Sequence, residues 1–243
     1  MKKSRPLSAV CACIIISVSF VVQGVGISGQ GTWESTLHGR DLDGNVATVE
    51  AYYDSVLDIT WLADANVNGS MTWGDAIEWV ASLDFGAGIN DWRLPTMIDV
   101  GNDGCNFSYI GTDCAYNVQT GSVSTTVYSE MASIFYDTLG NKVYYDTSGN
   151  GPQSGWGLTN TGPFKNVQSD YYWSSTEYAP DTSGAWGFSF YEGYQDYASK
   201  DYNFHYAWAV HSGDVGAALV STPKPSVVWS FWSSLLEMIG VAR

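Results

Sequence analysis

In the stretch RDLDGNVATVEAYYD, Asp41, Asp43 and Asn45 alternate around Gly44. Oxygen donors at i, i+2 and i+4 are how a calcium loop begins to wrap its hard cation. Glu50 or Asp54 would close the shell. The second half of an EF-hand loop is missing, because the twelfth position counted from Asp41 is Tyr52 rather than Glu. A plain Asp-Gly turn between two strands accounts for the same residues. Both readings stand, and calcium is the one cofactor the pattern offers.

Cysteine offers a second chemistry. Cys11 and Cys13 fall in an apolar leader, which leaves Cys105 and Cys114 in GCNFSYIGTDCAYN. An even pair in an exported chain predicts a disulfide. The rival, metal ligation, would need further His or Cys close by to complete a tetrahedral set, and none is there. The only imidazoles are His38, His205 and His211, none beside a Gly-x-Ser-x-Gly elbow, so no nucleophilic triad is expected. Carboxylates are plentiful, yet no spacing marks two that face each other across a glycosidic bond. A sugar could also stack on exposed aromatic rings, which pair an apolar face with a polar edge. Trp156 in SGWGLTN, and Tyr178 beside Glu177 and Asp181, lie in expected loops. The alternative is that these rings fill gaps beneath the loops.

Composition narrows the partners. The 243 residues carry 45% hydrophobic side chains, enough for one sizeable core. A formal charge of −15 with only ten Lys and Arg excludes a phosphate-backbone partner, which needs a basic footprint. Eleven Trp and sixteen Tyr among few charges suit a β-rich extracellular domain. Lys2, Lys3 and Arg5 precede an apolar run from Leu7 to Val22, followed by Gly24 and Gly26. Residues 1–26 are therefore expected to be a signal peptide, the run being short of the roughly 20 residues that span a bilayer. At the other end, STPKPSVVWSFWSSLLEMIGVAR resembles the PEP-CTERM sorting signal. It departs from it with Lys224 in place of Glu, Glu237 within the apolar stretch and Arg243 alone in place of a basic cluster. The 15 positions from Val227 to Val241 would reach roughly 22 Å as a helix, against about 30 Å of hydrocarbon. The resemblance implies export and exosortase-type sorting; the alternative is an amphipathic helix docked on its own domain. The expected organisation is a signal peptide at 1–26, one domain at 30–216, a linker at 217–226 and a hydrophobic sorting or anchor segment at 227–243.

The candidate residues must be positioned by regular elements. GTWESTLHGRDLD and AYYDSVLDITWLAD read as strands on either side of the Asp-rich turn. MTWGDAIEWVASLDFGAG places Trp73, Ala76, Ile77, Val80 and Leu83 on one helical face, with Thr72 and Asp75 as a capping box and Gly86 after the end. SEMASIFYDTLGN does the same with Met131, Ile134, Phe135 and Leu139, stopped by Gly140. YYWSSTEY, AWGFSFYEG and NFHYAWAVHSG predict three strands of a small antiparallel sheet. The fold class is α+β, with long irregular loops on display.

DITWLADAN, MTWGDAIEWVASL, DWRLPT, YYWSSTEY, AWGFSF and YAWAVHSGD follow one another in an order and spacing that resembles the Lcl C-terminal domain family, over Leu57 to Asp214. That resemblance implies a C-type lectin-like fold, two helices flanking a small twisted antiparallel sheet, and binding of glycans at a cell surface. An RLPT stretch also occurs in formylglycine-generating enzymes, whose copper is held by cysteines near the domain end; YAWAVHSGD has none, and without a thiolate there is no soft ligand for Cu(I). Lectin sugar motifs such as Glu-Pro-Asn are absent as well. Within the family's motifs, Trp92, Arg93, Leu94, Pro95, Thr96 and Trp173 are read as structural. Leu94 plugs the core, Pro95 holds it extended, Thr96 caps a following helix, and Arg93 forms an internal ion pair. The expected function is adhesin-like binding of extracellular polysaccharide or matrix glycan, without catalysis. A structural matrix component comes second and a glycan-acting hydrolase third. Nucleic acid is not a partner, and a membrane is met only through the terminal segments.

Overall fold

The computed structural model describes residues 31–100, 105, 107–111 and 113–218. The expected signal peptide, the sorting segment and most of the linker lie outside the described residues.

The chain enters through one helical turn, α1 (Trp33–Thr36), and passes into β1 (Leu37–Asp41). AYYDSVLDITWLAD is a hairpin rather than one strand: β2 (Ala51–Asp54) and β3 (Ile59–Leu62) pair antiparallel. The cause is Asp54, whose carboxylate accepts the amides of Val56 and Leu57 at 2.9 and 3.3 Å and so folds the chain back, an Asx turn that sequence alternation does not reveal. β4 (Ser70–Met71) leads to α2 (Trp73–Ala81). Its capping box forms as expected: the Asp75 amide donates to the Thr72 hydroxyl, which donates to the Asp75 carboxylate. Ala76 and Val80 bury that face.

After β5 (Ala115–Tyr116), the second expected helix differs. Only α3 (Glu130–Ala132) is α-helical, and Ser133–Thr138 continues as a π-helix. Met131, Ile134, Phe135 and Leu139 are all buried there, together with Ser129, Glu130 and Ser133. The segment is buried on nearly every side, and its backbone bonds widen, the Leu139 amide reaching the Ile134 carbonyl five residues back. The described residues thus hold one flanking helix of more than two turns, not two.

The expected three-strand meander is also redrawn. β6 (Tyr171–Glu177) and β7 (Gly184–Ser189) pair antiparallel, but their next neighbour is β8 (Tyr194–Ser199). NFHYAWAVHSG is split between both sheets: β9 (His205–Tyr206) lies parallel to β6, and β10 (Val210–Ser212) joins β3. β11 (Ala217–Ala218) then pairs with β1, so pairing extends into the first two residues of the expected linker. The first sheet runs β10-β3-β2-β1-β11 and the second β4-β9-β6-β7-β8-β5. Both close on one core, where Trp61 and Trp208 meet at 4.8 Å, Phe164 seals Trp208 edge-on, and Phe135 packs on Phe188 and Phe190. This is an α+β protein made mostly of sheet.

Candidate functional site

In a strand, alternate side chains share a face, and the register of the second sheet puts Tyr171, Gly187, Tyr194, Asp196 and Tyr116 on the same one. Gly187 matters because it carries no side chain: a Cβ there would meet the Tyr171 ring at 3.0 Å. The ring therefore lies against β7, and on its other side it meets His205 of β9, the ring centroids 4.9 Å apart. From Tyr194 a band of rings continues at contact spacing. Tyr116 lies 4.8 Å from Tyr194 and 5.0 Å from Tyr145; Tyr109 and Tyr144 flank Tyr145 at 5.0 and 4.7 Å. Trp156 follows Tyr144 at 4.5 Å, and Tyr191 closes the band at 5.2 Å from Trp156. Tyr109 and Tyr191 are exposed and the other rings half-buried.

Backbone bonds hold the loops that carry these rings. The Tyr144 amide donates to the Glu192 carbonyl at 2.8 Å, and the Gly157 amide to the Lys142 carbonyl at 2.8 Å. The Asn117 side-chain amide ties the Tyr109 and Tyr145 carbonyls. Beside the band is a polar hollow of about 410 Å³ lined by Asn117, Thr120, Tyr136, Asn141, Lys142 and Gln153 among others.

Two carboxylates sit within the band. The Tyr194 hydroxyl donates to Asp196 and the Tyr116 hydroxyl to Glu192, each at 3.1 Å. Burial raises the Asp196 pKa above the usual carboxylate range, opposed by the Tyr197 amide and the Tyr194 hydroxyl. Burial first and then the neighbouring acids push the Tyr116, Tyr194 and Tyr171 phenols up, so all three stay protonated donors at neutral pH. The three Lys or Arg ion pairs among the described residues lie elsewhere, at Arg40–Asp214, Arg93–Glu130 and Lys200–Glu177. Flat ring faces, fixed hydroxyls and half-buried carboxylates are what a sugar ring and its hydroxyls need.

Of the residues read from the sequence as a sugar site, only Trp156 belongs to this band. Tyr178 is buried, stacked on Tyr197 at 3.8 Å and edge-on to Trp186, so its faces are covered by its neighbours. Glu177 is paired to Lys200, and Asp181 caps its own turn through Ser183. Tyr178 takes the Gly184 carbonyl, at the opposite end of the six-residue β7 from Tyr191, roughly 20 Å apart. The four residues do not form one site. The sequence reading did not group the seven tyrosines, because only Tyr116, Tyr171 and Tyr194 lie in strands and the loops carrying Tyr109, Tyr144, Tyr145 and Tyr191 come from separate parts of the chain; the pairs Tyr144-Tyr145 and Tyr171-Tyr172 were the available signal.

The Asp-rich turn gathers Asp41, Asp43 and Glu50, with carboxylate oxygens within 4.8 Å of one another. Asn45 uses its side chain to accept the Ala47 amide. Asp54 is not part of this group: it is fully buried at the other end of β2, where the hairpin amides and Thr138 hold it. The Asp41 carboxylate accepts the Asp43 and Gly44 amides and Glu50 that of Leu42, as an Asx-turn also requires.

The family's joint behaves as expected in one respect and differs in another. Arg93 forms the internal pair, two parallel bonds to Glu130 at 2.7 and 2.8 Å, and Leu94 is fully buried. Thr96 caps no helix, since none follows it directly; its amide donates to Glu130 at 2.7 Å and its carbonyl accepts the Glu130 amide. The stretch is a clamp that ties a strand-like segment, bonded to Val210 through Arg93, to the start of α3. Trp92 and Trp173 are buried, and the Trp173 indole donates to the Met71 carbonyl. Cys105 and Cys114 are paired, their Cα atoms 5.2 Å apart, within the range a disulfide demands. No helix of the described residues is long and apolar enough to cross a membrane.

A family model, described as the Lcl C-terminal domain, matches residues 50–211. Comparison with curated proteins and with solved structures returned no match.

Proposed function

The chain belongs to the Lcl C-terminal domain family, which is associated with extracellular and cell-surface proteins, and from that we propose that it binds polysaccharide or matrix glycan through the aromatic face of its second sheet. The observation that carries this reading is the continuous band from Tyr194 to Tyr191, with the Asp196 and Glu192 carboxylates set among its rings. The chain acts by binding rather than by turnover. Neutral glycans suit the face better than sulphated ones, because a chain of formal charge −15 repels anions. We read the architecture as C-type lectin-like: α2 packed against a small mixed sheet and the long loops between elements support this. Any calcium would sit at Asp41, Asp43 and Glu50, in the turn between β1 and β2, outside the band.

The test is retention of the full-length chain on an array of neutral and sulphated glycans, with and without calcium. Retention of neutral polysaccharide, lost in Tyr194→Ala at unchanged melting temperature, is the expected result. If no glycan is retained, the binding reading fails and a structural matrix role takes its place.

A further inference from the structure

Which glycan the face prefers is a question of charge. Among the described residues two half-buried acids lie among its rings with no ion pair: Asp196, which accepts the Tyr194 hydroxyl and the Tyr197 amide, and Glu192, which accepts the Tyr116 hydroxyl. Elsewhere the chain compensates such groups. Glu130 has Arg93, Glu177 has Lys200 and Asp214 has Arg40, while buried Asp54 receives two backbone amides and a threonine hydroxyl. The lysine nearest the band, Lys142, turns its ammonium to the Ser154 carbonyl at 3.4 Å. A half-buried carboxylate held only by neutral donors keeps its full charge uncompensated, and a ring face attracts a cation by its own quadrupole.

We infer, resting on the glycan-binding reading above, that this face selects polysaccharides bearing free, protonated amino groups, that is, amino-sugar polymers that are not fully N-acetylated. The sugar ring lies on the tyrosine and tryptophan faces while its ammonium group reaches Asp196 or Glu192. Both halves are needed: rings alone take neutral and amino sugars alike, and acids alone lack the shape of a sugar. The raised pKa of Asp196 agrees with a carboxyl that gains more than an exposed one would from an incoming cation. The net charge of −15 favours the encounter as well.

The experiment titrates the full-length chain with a glucosamine hexamer and with its fully N-acetylated counterpart, at a pH where the free amines are protonated. The free-amine hexamer should bind about tenfold tighter, with a preference that shrinks as salt is added. Asp196→Asn and Glu192→Gln should bring the ratio of the two affinities close to one, whereas Trp156→Ala should weaken both hexamers and keep the ratio. Thermal melts of each variant separate folding from binding. Equal affinity for the two hexamers overturns the charge selection while leaving glycan binding standing. Failure of both hexamers and of neutral glycans removes the binding reading itself. Binding that appears only with added calcium, and equally for both hexamers, also overturns the proposal, because a divalent ion and not the sugar amine would then occupy the carboxylates.

Discussion

The acids around the first sheet and its joint are held differently from those on the aromatic face of the second. Asp54 is enclosed by the hairpin amides it organises, and Glu130 receives a two-pronged Arg93 and the Thr96 amide. Among the described residues Asp196 has the Tyr194 hydroxyl and the Tyr197 amide, Glu192 has the Tyr116 hydroxyl, and neither has an ion pair. The first arrangement spends each carboxylate on building the fold. The second leaves charge and aromatic surface half-exposed on an otherwise packed sheet, and that is where a partner gains most. The two regions thus hold their acids differently, and the proposed binding role rests on the second. A hollow of about 290 Å³ beside the first sheet sets Val49, Leu62, Val67, Leu83 and Phe85 beside Glu50, Asp64 and Lys165.

The largest effect should come from breaking the first arrangement. Arg93→Ala would strand Glu130, whose side chain is only 6% exposed, and should cost about 3 kcal/mol. Urea unfolding reads this directly. A stable variant that had lost glycan binding would instead place Arg93 in the binding region and erase the contrast.

Next in size is Trp156→Ala. It removes the ring between Tyr144 and Tyr191 and should weaken glycan binding by roughly tenfold, about 1.4 kcal/mol. Its melting temperature should change far less than that of the Arg93 variant. A large drop in melting temperature would mean that the band is packing rather than surface.

The smallest effect sharpens the comparison most. Burial raises the folded pKa of Asp196 above its unfolded value, so the folded state holds the proton more readily. Ionisation of this group therefore lowers stability as pH rises through the folded value, and its cost is full above it; below the unfolded pKa the cost is absent. Asp196→Asn should accordingly melt slightly higher than the parent near pH 7 and level with it near pH 3. Melts across that range decide. A variant that is less stable at neutral pH would show that the carboxylate is structural after all.

How much of this was legible depended on how local the cause is. α2 was readable because its apolar spacing and its Thr72–Asp75 cap lie within one stretch, although the helix ends at Ala81 and Gly86 belongs to the turn after it. The Arg93 ion pair was readable as a need, since few cations remain among many acids, but its partner Glu130 lies 37 residues away. The Asp-rich turn gave three of its five candidate ligands correctly grouped, and Asp54 fell outside because β2 carries it to the far end of the sheet. The sugar residues fared worst. Glu177, Tyr178 and Asp181 looked like an exposed loop and proved to be an ion pair, a buried stack and a turn.

The sequence by itself determined the family, the α+β class, the acidic net charge, the cysteine pair and the helix at Trp73, because each rests on composition or on contacts within a few residues. Only the tertiary structure decided which tyrosines are core and which are surface. Tyr171 and Tyr172 are neighbours of one type, yet Tyr172 is fully buried against Phe190 and Trp208 while Tyr171 lies half-exposed over Gly187. Strand alternation sends them to opposite faces. Which of those faces the rest of the chain covers is settled by packing between segments distant in sequence, and that carries no local signature.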